Sequence, residues 1–181
     1  NIDFLTVNPY LGVDSITPFV EDCIKYDKGI FVLVKTSNPS SGELQDLKLE
    51  NGKTVYEHVA SLVEKWGEEL RGKYGYSSVA AVVGATYPEQ LKEIREKAPH
   101  TYFLIPGYGA QGGEARIAAT LLDHAGGTVN SSRGILCAWK KDEKIADKAA
   151  AGTLTMDDIA DAAARASLFA KEDLLKAKAS L

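Results

Sequence analysis

The sequence predicts an α/β fold built on a parallel sheet. Short apolar runs rich in Val, Ile and Leu alternate with longer segments whose apolar residues recur at helical spacing. The runs are nearly continuous in apolar residues, which suits parallel strands covered on both faces. No hairpin turn joins two runs and composition does not shift along the chain, so residues 1–181 read as one domain.

The elements follow in order. Ile2–Val7 is the first apolar run, closed by the loop Asn8-Pro9-Tyr10-Leu11-Gly12. A helix is expected from Ser15 to Tyr26, with Asp14 or Ser15 as its cap and Pro18 in its first turn. Ile30–Val34 is the second strand. The polar stretch 36–52 follows as a loop, with Glu43, Asp46 and Glu50 solvated. Apolar residues at Val55, Val59, Leu62, Val63, Trp66 and Leu70 mark a helix over Thr54–Tyr74. Val79–Val83 is the third strand and Tyr87–Lys97 its helix, with Thr86 as candidate cap. Tyr102–Ile105, a helix over Ala115–His124, and the short strand Thr128–Asn130 complete five βα units. An alanine-rich amphipathic helix, Met156 to Ala179, closes the chain.

Five units do not close an eight-stranded barrel, which takes roughly 200 to 250 residues. Either the sheet is open and doubly wound, or three strands of a barrel lie outside this sequence. The chain begins at Asn1 in what already reads as a strand, so the interior of a longer polypeptide is expected.

Bulk properties exclude several function classes. The net charge of −4 and the absence of a basic stripe argue against a nucleic-acid surface. No apolar run approaches the roughly 20 residues that span a bilayer, and the start lacks the basic region of a signal peptide. Cys23 and Cys137 have neither CxxC spacing nor clustered histidines, so two reduced thiols are expected rather than a disulfide or metal site. His58, His100 and His124 fall in or at the ends of predicted helices, none at the carboxyl end of a strand, and carry no catalytic assignment. A cytoplasmic enzyme without metal or cofactor fits these features.

Two strand ends carry the strongest chemical signal. Leu104-Ile105-Pro106 runs into Gly107-Tyr108-Gly109-Ala110-Gln111-Gly112-Gly113, and Thr128-Val129-Asn130 runs into Ser131-Ser132-Arg133-Gly134. Neighbouring βα turns of this kind make a phosphate clamp: backbone N–H groups at the glycines donate to the anion, and a guanidinium adds charge and a fork. This layout is expected in the last two loops of a (β/α)8 barrel. The spacing Gly107-x-Gly109-x-x-Gly112 formally matches a dinucleotide fingerprint, with Arg133 as a 2′-phosphate reader. That fingerprint belongs after the first strand of its domain, whereas only one strand follows here, so the clamp is the better account.

Other strand ends add candidates. Thr36-Ser37-Asn38-Pro39-Ser40-Ser41 places hydroxyls at the carboxyl end of the second strand, where Ser37 could bond a polar ring edge and where a capped turn is the plainer reading. Asn8 and Thr6 end the first strand on the same face. Lys35, near the end of an apolar strand, is expected to pair with a carboxylate rather than act as a general acid or base. Asp14 is expected to cap a helix. No strand end offers a convincing catalytic group.

Together these blocks resemble orotidine 5′-phosphate decarboxylase, in its longer bacterial form. The resemblance rests on Val7-Asn8-Pro9-Tyr10-Leu11-Gly12, Val32 to Ser41, Val83-Gly84-Ala85-Thr86, Pro106 to Gly113 and Asn130 to Gly134, which occur in family order. It implies a TIM barrel of which this chain supplies about the last five βα units. It also implies decarboxylation of orotidine 5′-phosphate to UMP in pyrimidine biosynthesis, without metal or cofactor, in a homodimer. By the same resemblance, Gln111 and Arg133 bind phosphate, with the Ser132 amide beside Arg133. Ser37 contacts the pyrimidine amide edge, Pro106 walls the pocket near the reacting end, and Asn8 and Thr6 are weaker pocket candidates. The family's catalytic Asp-x-Lys-x-x-Asp run at the end of an earlier strand is expected before Asn1. This segment alone is therefore expected to be inactive. Another sugar-phosphate-binding barrel enzyme and a non-catalytic nucleotide-binding module are the alternatives.

Overall fold

The computed structural model describes residues 2–84, 88–108, 115, 118–119, 122 and 126–180. Its strands are β1 (Phe4–Val7), β2 (Gly29–Lys35), β3 (Ser77–Val83), β4 (Thr101–Pro106) and β5 (Gly127–Asn130). Its helices are α1 (Val13–Tyr26), α2 (Gly42–Gln45), α3 (Val55–Trp66), α4 (Pro88–Lys97), α5 (Ser132–Leu136), α6 (Ala146–Ala150) and α7 (Met156–Ala179).

The five strands lie side by side in sequence order, and every neighbouring pair is parallel. A doubly wound sheet reverses its strand order at a switch point. This sheet advances in one direction only, as a barrel does, which removes the doubly wound alternative.

The two sheet faces differ. Ile30, Val32 and Val34 of β2, Val79, Ala81 and Val83 of β3, and Phe103 and Ile105 of β4 point toward the helices and are buried. They pack with Ile16 and Cys23 of α1, Tyr56, Ala60 and Val63 of α3, and Leu91 and Ile94 of α4. On the opposite face Phe31, Leu33, Tyr102 and Leu104 are only half-buried. There Phe4 stacks on Phe31 with centroids 4.6 Å apart, and Phe31 meets Tyr102 at 6.4 Å. The expectation of strands covered on both faces holds for β3, whose Ala80 and Val82 are buried on this face as well, whereas on β2 and β4 aromatic contacts cover this face only partly. At the β1 edge, Phe4 and Leu5 are exposed.

Several element limits also move. Helix α1 starts at Val13, not Ser15. Its cap is Gly12, whose φ of 79° suits a residue without Cβ. Ser15 Oγ donates to the Gly12 carbonyl, and Asp14 lies in the first turn, where it favours the helix dipole, instead of capping. Pro18 lies beyond the first turn, inside the helix. Helix α3 opens on a reciprocal Thr54–Glu57 capping box and stops at Gly67, short of Tyr74. A Cβ on Gly67 would strike the Ser77 side chain of β3, so the chain leaves the helix where it crosses the sheet. Leu70 still reaches the core from a 3-10 turn, Glu68–Leu70, which explains why the apolar stripe outruns the helix. The loop 36–52 holds a 3-10 turn, Pro39–Ser41, and α2. Helix α7 keeps its expected limits behind a Thr155–Asp158 capping box. The expected cap Thr86, and most of the helix expected over Ala115–His124, lie outside the described residues.

Candidate functional site

Because all strands are parallel, their carboxyl ends share one face, and three of them meet in a cleft of about 680 Å³. Ser37 comes from the end of β2, Pro106 and Gly107 from the end of β4, and Asn130 to Gly134 from the end of β5 and the start of α5. Of the candidates named from sequence, Ser37, Pro106, Ser132 and Arg133 line this one cleft. Gln111 lies outside the described residues. Thr6 and Asn8 stand at the end of β1 and do not line the cleft. The Asn8 Oδ1 accepts from the Tyr10 backbone N–H at 2.9 Å, a local turn that supplies its own reason for an asparagine there.

Backbone approach, not side-chain bulk, positions Ser37. Gly84, just past β3, donates its N–H to the Lys35 carbonyl at 2.8 Å. A Cβ on Gly84 would come within 3.0 Å of the Ser37 nitrogen, so only glycine lets β3 pass this close. Gly107, at a φ of 97°, turns the chain away from β4, and a Cβ there would lie 3.8 Å from Ser37 Oγ. Ser37 therefore sits between the ends of β3 and β4, exposed to the cleft mouth.

The loop beneath Ser37 is anchored from α2. Thr36 N–H donates to Gln45 Oε1 at 2.9 Å, Gln45 Nε2 donates to Thr36 Oγ1 at 2.8 Å, and Thr36 Oγ1 donates to Asn38 Oδ1 at 2.6 Å. Lys35 Nζ donates to Asp46 Oδ1 at 2.5 Å and lies 5.1 Å from the Tyr56 ring centroid. The expected carboxylate partner exists, but it comes from the end of α2 rather than from another strand. Asp46 is exposed, like Glu43 and Glu50, but its carboxylate is held by Lys35. The cause is a register shift between Leu33 and Lys35 in the β2–β3 ladder. Such an irregularity re-aims a side chain, and here it sends Lys35 to the helix layer, away from the cleft. Burial among these groups raises the Tyr56 hydroxyl pKa.

The β4 and β5 ends are locked together. Pro106 and Asn130 are register partners, and Ser131 Oγ donates to the Tyr108 carbonyl at 2.8 Å. A Cβ on Gly134 would collide with Ser131 Oγ, so glycine leaves room for that bond. Tyr108 is buried and donates its hydroxyl to Asp173 Oδ2 of α7 at 2.6 Å, tying the cleft floor to the closing helix. Arg133 is exposed in the first turn of α5, where backbone N–H groups lack intrahelical acceptors. Lys140 and Lys141, which sequence reasoning passed over, line the same cleft. They follow a helix-like stretch with no strand end, so only the turn after α5 brings them back. A larger hollow of about 940 Å³ lies beside the cleft under α7, but it lacks Ser37, Pro106 and Arg133.

The spacing Asp142-x-Lys144-x-x-Asp147 formally repeats the catalytic run, but it stands after β5 rather than at a strand end. Asp142 caps the 3-10 turn Glu143–Ile145 and accepts from Arg165 Nη2 at 2.6 Å and Nε at 3.0 Å. The Arg165 bonds and the Lys144 backbone N–H hold its carboxyl below the usual range. That spacing is a structural cap here. Among the described residues, no helix is long and apolar enough to cross a membrane.

The sequence profile described as "Orotidine 5'-phosphate decarboxylase / HUMPS family" matches residues 1–147. The chain is 54% identical over 140 residues to an orotidine 5'-phosphate decarboxylase of Caldicellulosiruptor bescii, covering 76% of this chain and 46% of that protein. It is 54% identical over 143 residues to one from Rhodopirellula baltica, covering 78% of this chain and 47% of the other. Its fold is similar to that of Leishmania donovani OMP decarboxylase, with a TM-score of 0.66 at 29% identity over 97% of this chain and 58% of that one. The chain thus spans about half the length of the relatives it matches. With a one-directional parallel sheet and a profile match over most of its length, this chain belongs to the orotidine 5'-phosphate decarboxylase / HUMPS family.

Proposed function

We propose that this chain forms the phosphate- and pyrimidine-gripping side of an orotidine 5′-phosphate decarboxylase. Within a complete barrel it would serve the conversion of orotidine 5′-phosphate to UMP in pyrimidine biosynthesis, in the cytoplasm and as a homodimer. The observation that carries the reading is the convergence of Ser37, Pro106, Ser132 and Arg133 on one cleft from three strand ends. Arg133 offers a charged fork to a phosphate, with the Ser132 N–H beside it; the family resemblance adds Gln111 to the phosphate contacts. Ser37 faces the same space from the β2 side, at the place of a pyrimidine edge, and Pro106 walls it between them.

The decarboxylation step leaves a carbanion at C6 of the ring, which a lysine must protonate. Lys35 is committed to Asp46 on the helix side, and the family resemblance implies that the proton donor lies in a segment carrying Asp-x-Lys-x-x-Asp at a strand end. Phosphate binding far from C6 still serves the rate, because its energy can be spent on closing the site around the transition state.

Calorimetric titration with UMP of the complete barrel that contains this chain tests the reading. UMP should bind, and Arg133→Ala should weaken binding at least about tenfold, since a charge-assisted fork is lost. Gln111→Ala should weaken it less. Unchanged UMP affinity in the Arg133 variant would remove the assignment.

A further inference from the structure

We infer that Lys140 and Lys141 form an electrostatic approach to the Arg133 clamp, drawing phosphate monoesters into the cleft without holding them in place. The inference rests on the reading of the cleft as an anion site and adds two residues to it. Three cations, Arg133, Lys140 and Lys141, line the cleft, and no Asp or Glu does among the described residues. The whole chain carries a net charge of −4, so this concentration of positive charge opposes the average.

The three charges are also uncommitted. Among the described residues none of them joins an ion pair, whereas other cations nearby do: Arg165 binds Asp142, and Lys148 binds Asp158 at 2.6 Å. Asp142 follows Lys141 directly in sequence, yet its carboxylate turns to Arg165 and to the Lys144 backbone N–H. The acidic group next to Lys141 is thereby withdrawn from the lysines, and the exposed Glu143 beyond it does not line the cleft. Lys140 Nζ rests 5.4 Å from the Trp139 ring centroid, a contact that leaves its charge facing solvent. Both lysines are exposed, and their long flexible stems suit a diffuse field better than a fixed ligand contact. A cleft lined by one sign of charge raises local anion concentration and association rate by tenfold or more, and salt suppresses the effect.

The test compares UMP, inorganic phosphate and uridine as ligands of the complete barrel containing this chain at low salt and at about 0.5 M salt, where the screening length is roughly 4 Å. The Lys140→Gln/Lys141→Gln variant should bind UMP and phosphate roughly tenfold more weakly at low salt. At high salt the gap should close to about twofold, uridine should be unaffected, and Lys140→Arg/Lys141→Arg should behave as wild type. If Arg133→Ala weakens UMP binding while the lysine variant matches wild type at every salt concentration, the approach is refuted and the clamp stands. A loss in the lysine variant that persists at high salt also refutes it, because the lysines would then be direct ligands. If the complete wild-type barrel containing this chain binds neither UMP nor phosphate, the clamp and the approach fall together.

Discussion

Gln45 holds Thr36 through two hydrogen bonds, one to its backbone N–H at 2.9 Å and one to its hydroxyl at 2.8 Å. This pair joins a four-residue helix to the residue immediately before Ser37. An amide side chain thus substitutes for the strand partner that Thr36 loses where β2 ends. Gln45→Ala should destabilise the chain by about 1–2 kcal/mol, the cost of leaving a partly buried N–H without its acceptor. Urea denaturation measures that loss. Amide exchange should quicken at Thr36 and Ser37 first.

The Lys35–Asp46 pair below it should show an asymmetric response. The Lys35 side chain is 5% exposed and that of Asp46 is 43% exposed. Asp46→Ala strands a buried cation and should cost roughly 1–3 kcal/mol, softened by the solvent that reaches the Asp46 side. Lys35→Met should cost less, since it removes the buried charge and keeps the packing. The double variant should recover most of the Asp46→Ala loss in a thermodynamic cycle.

Acid should weaken the α3–α4 contact. Burial pushes the Glu57 carboxyl up, but the hydrogen bond from Lys97 and those from the Thr54 backbone and hydroxyl outweigh it and hold the pKa at about 2 against an ordinary 4.5. The same bond raises the Lys97 pKa. A carboxyl depressed on folding contributes stability that is full above about 4.5 and is lost as pH falls toward about 2. Unfolding midpoints should therefore drop through that window, and Glu57→Gln should flatten the drop while lowering stability at neutral pH.

Gly134→Ala should act on the site more than on the fold. The added methyl displaces Ser131 Oγ from the Tyr108 carbonyl and costs about 1 kcal/mol, the worth of one hydrogen bond. The turn carrying Ser132 and Arg133 shifts with it. UMP affinity should fall several-fold while the circular dichroism spectrum stays unchanged.

Residue patterning determined the order of the five βα units, the limits of α7 and the carboxyl-end location of the ligand face. These are local or periodic properties: apolar runs, cap spacings and strand polarity are all set within about twenty residues. The sequence also marked Ser37 and Arg133, because each follows the end of an apolar run, while Pro106 and Ser132 came from the family resemblance. Tertiary structure alone decided which strand ends meet, leaving Thr6 and Asn8 off the cleft. It decided that Lys35 turns to the helix layer, since a register shift depends on the partner strand. It brought Lys140 and Lys141 back to the cleft, because the turn after α5 folds against neighbours far away in sequence. Side-chain periodicity reports which face a residue shares with its neighbours in the chain. What crosses from one element to another is settled by register, by close backbone approach at glycines such as Gly84 and Gly134, and by which charges find partners.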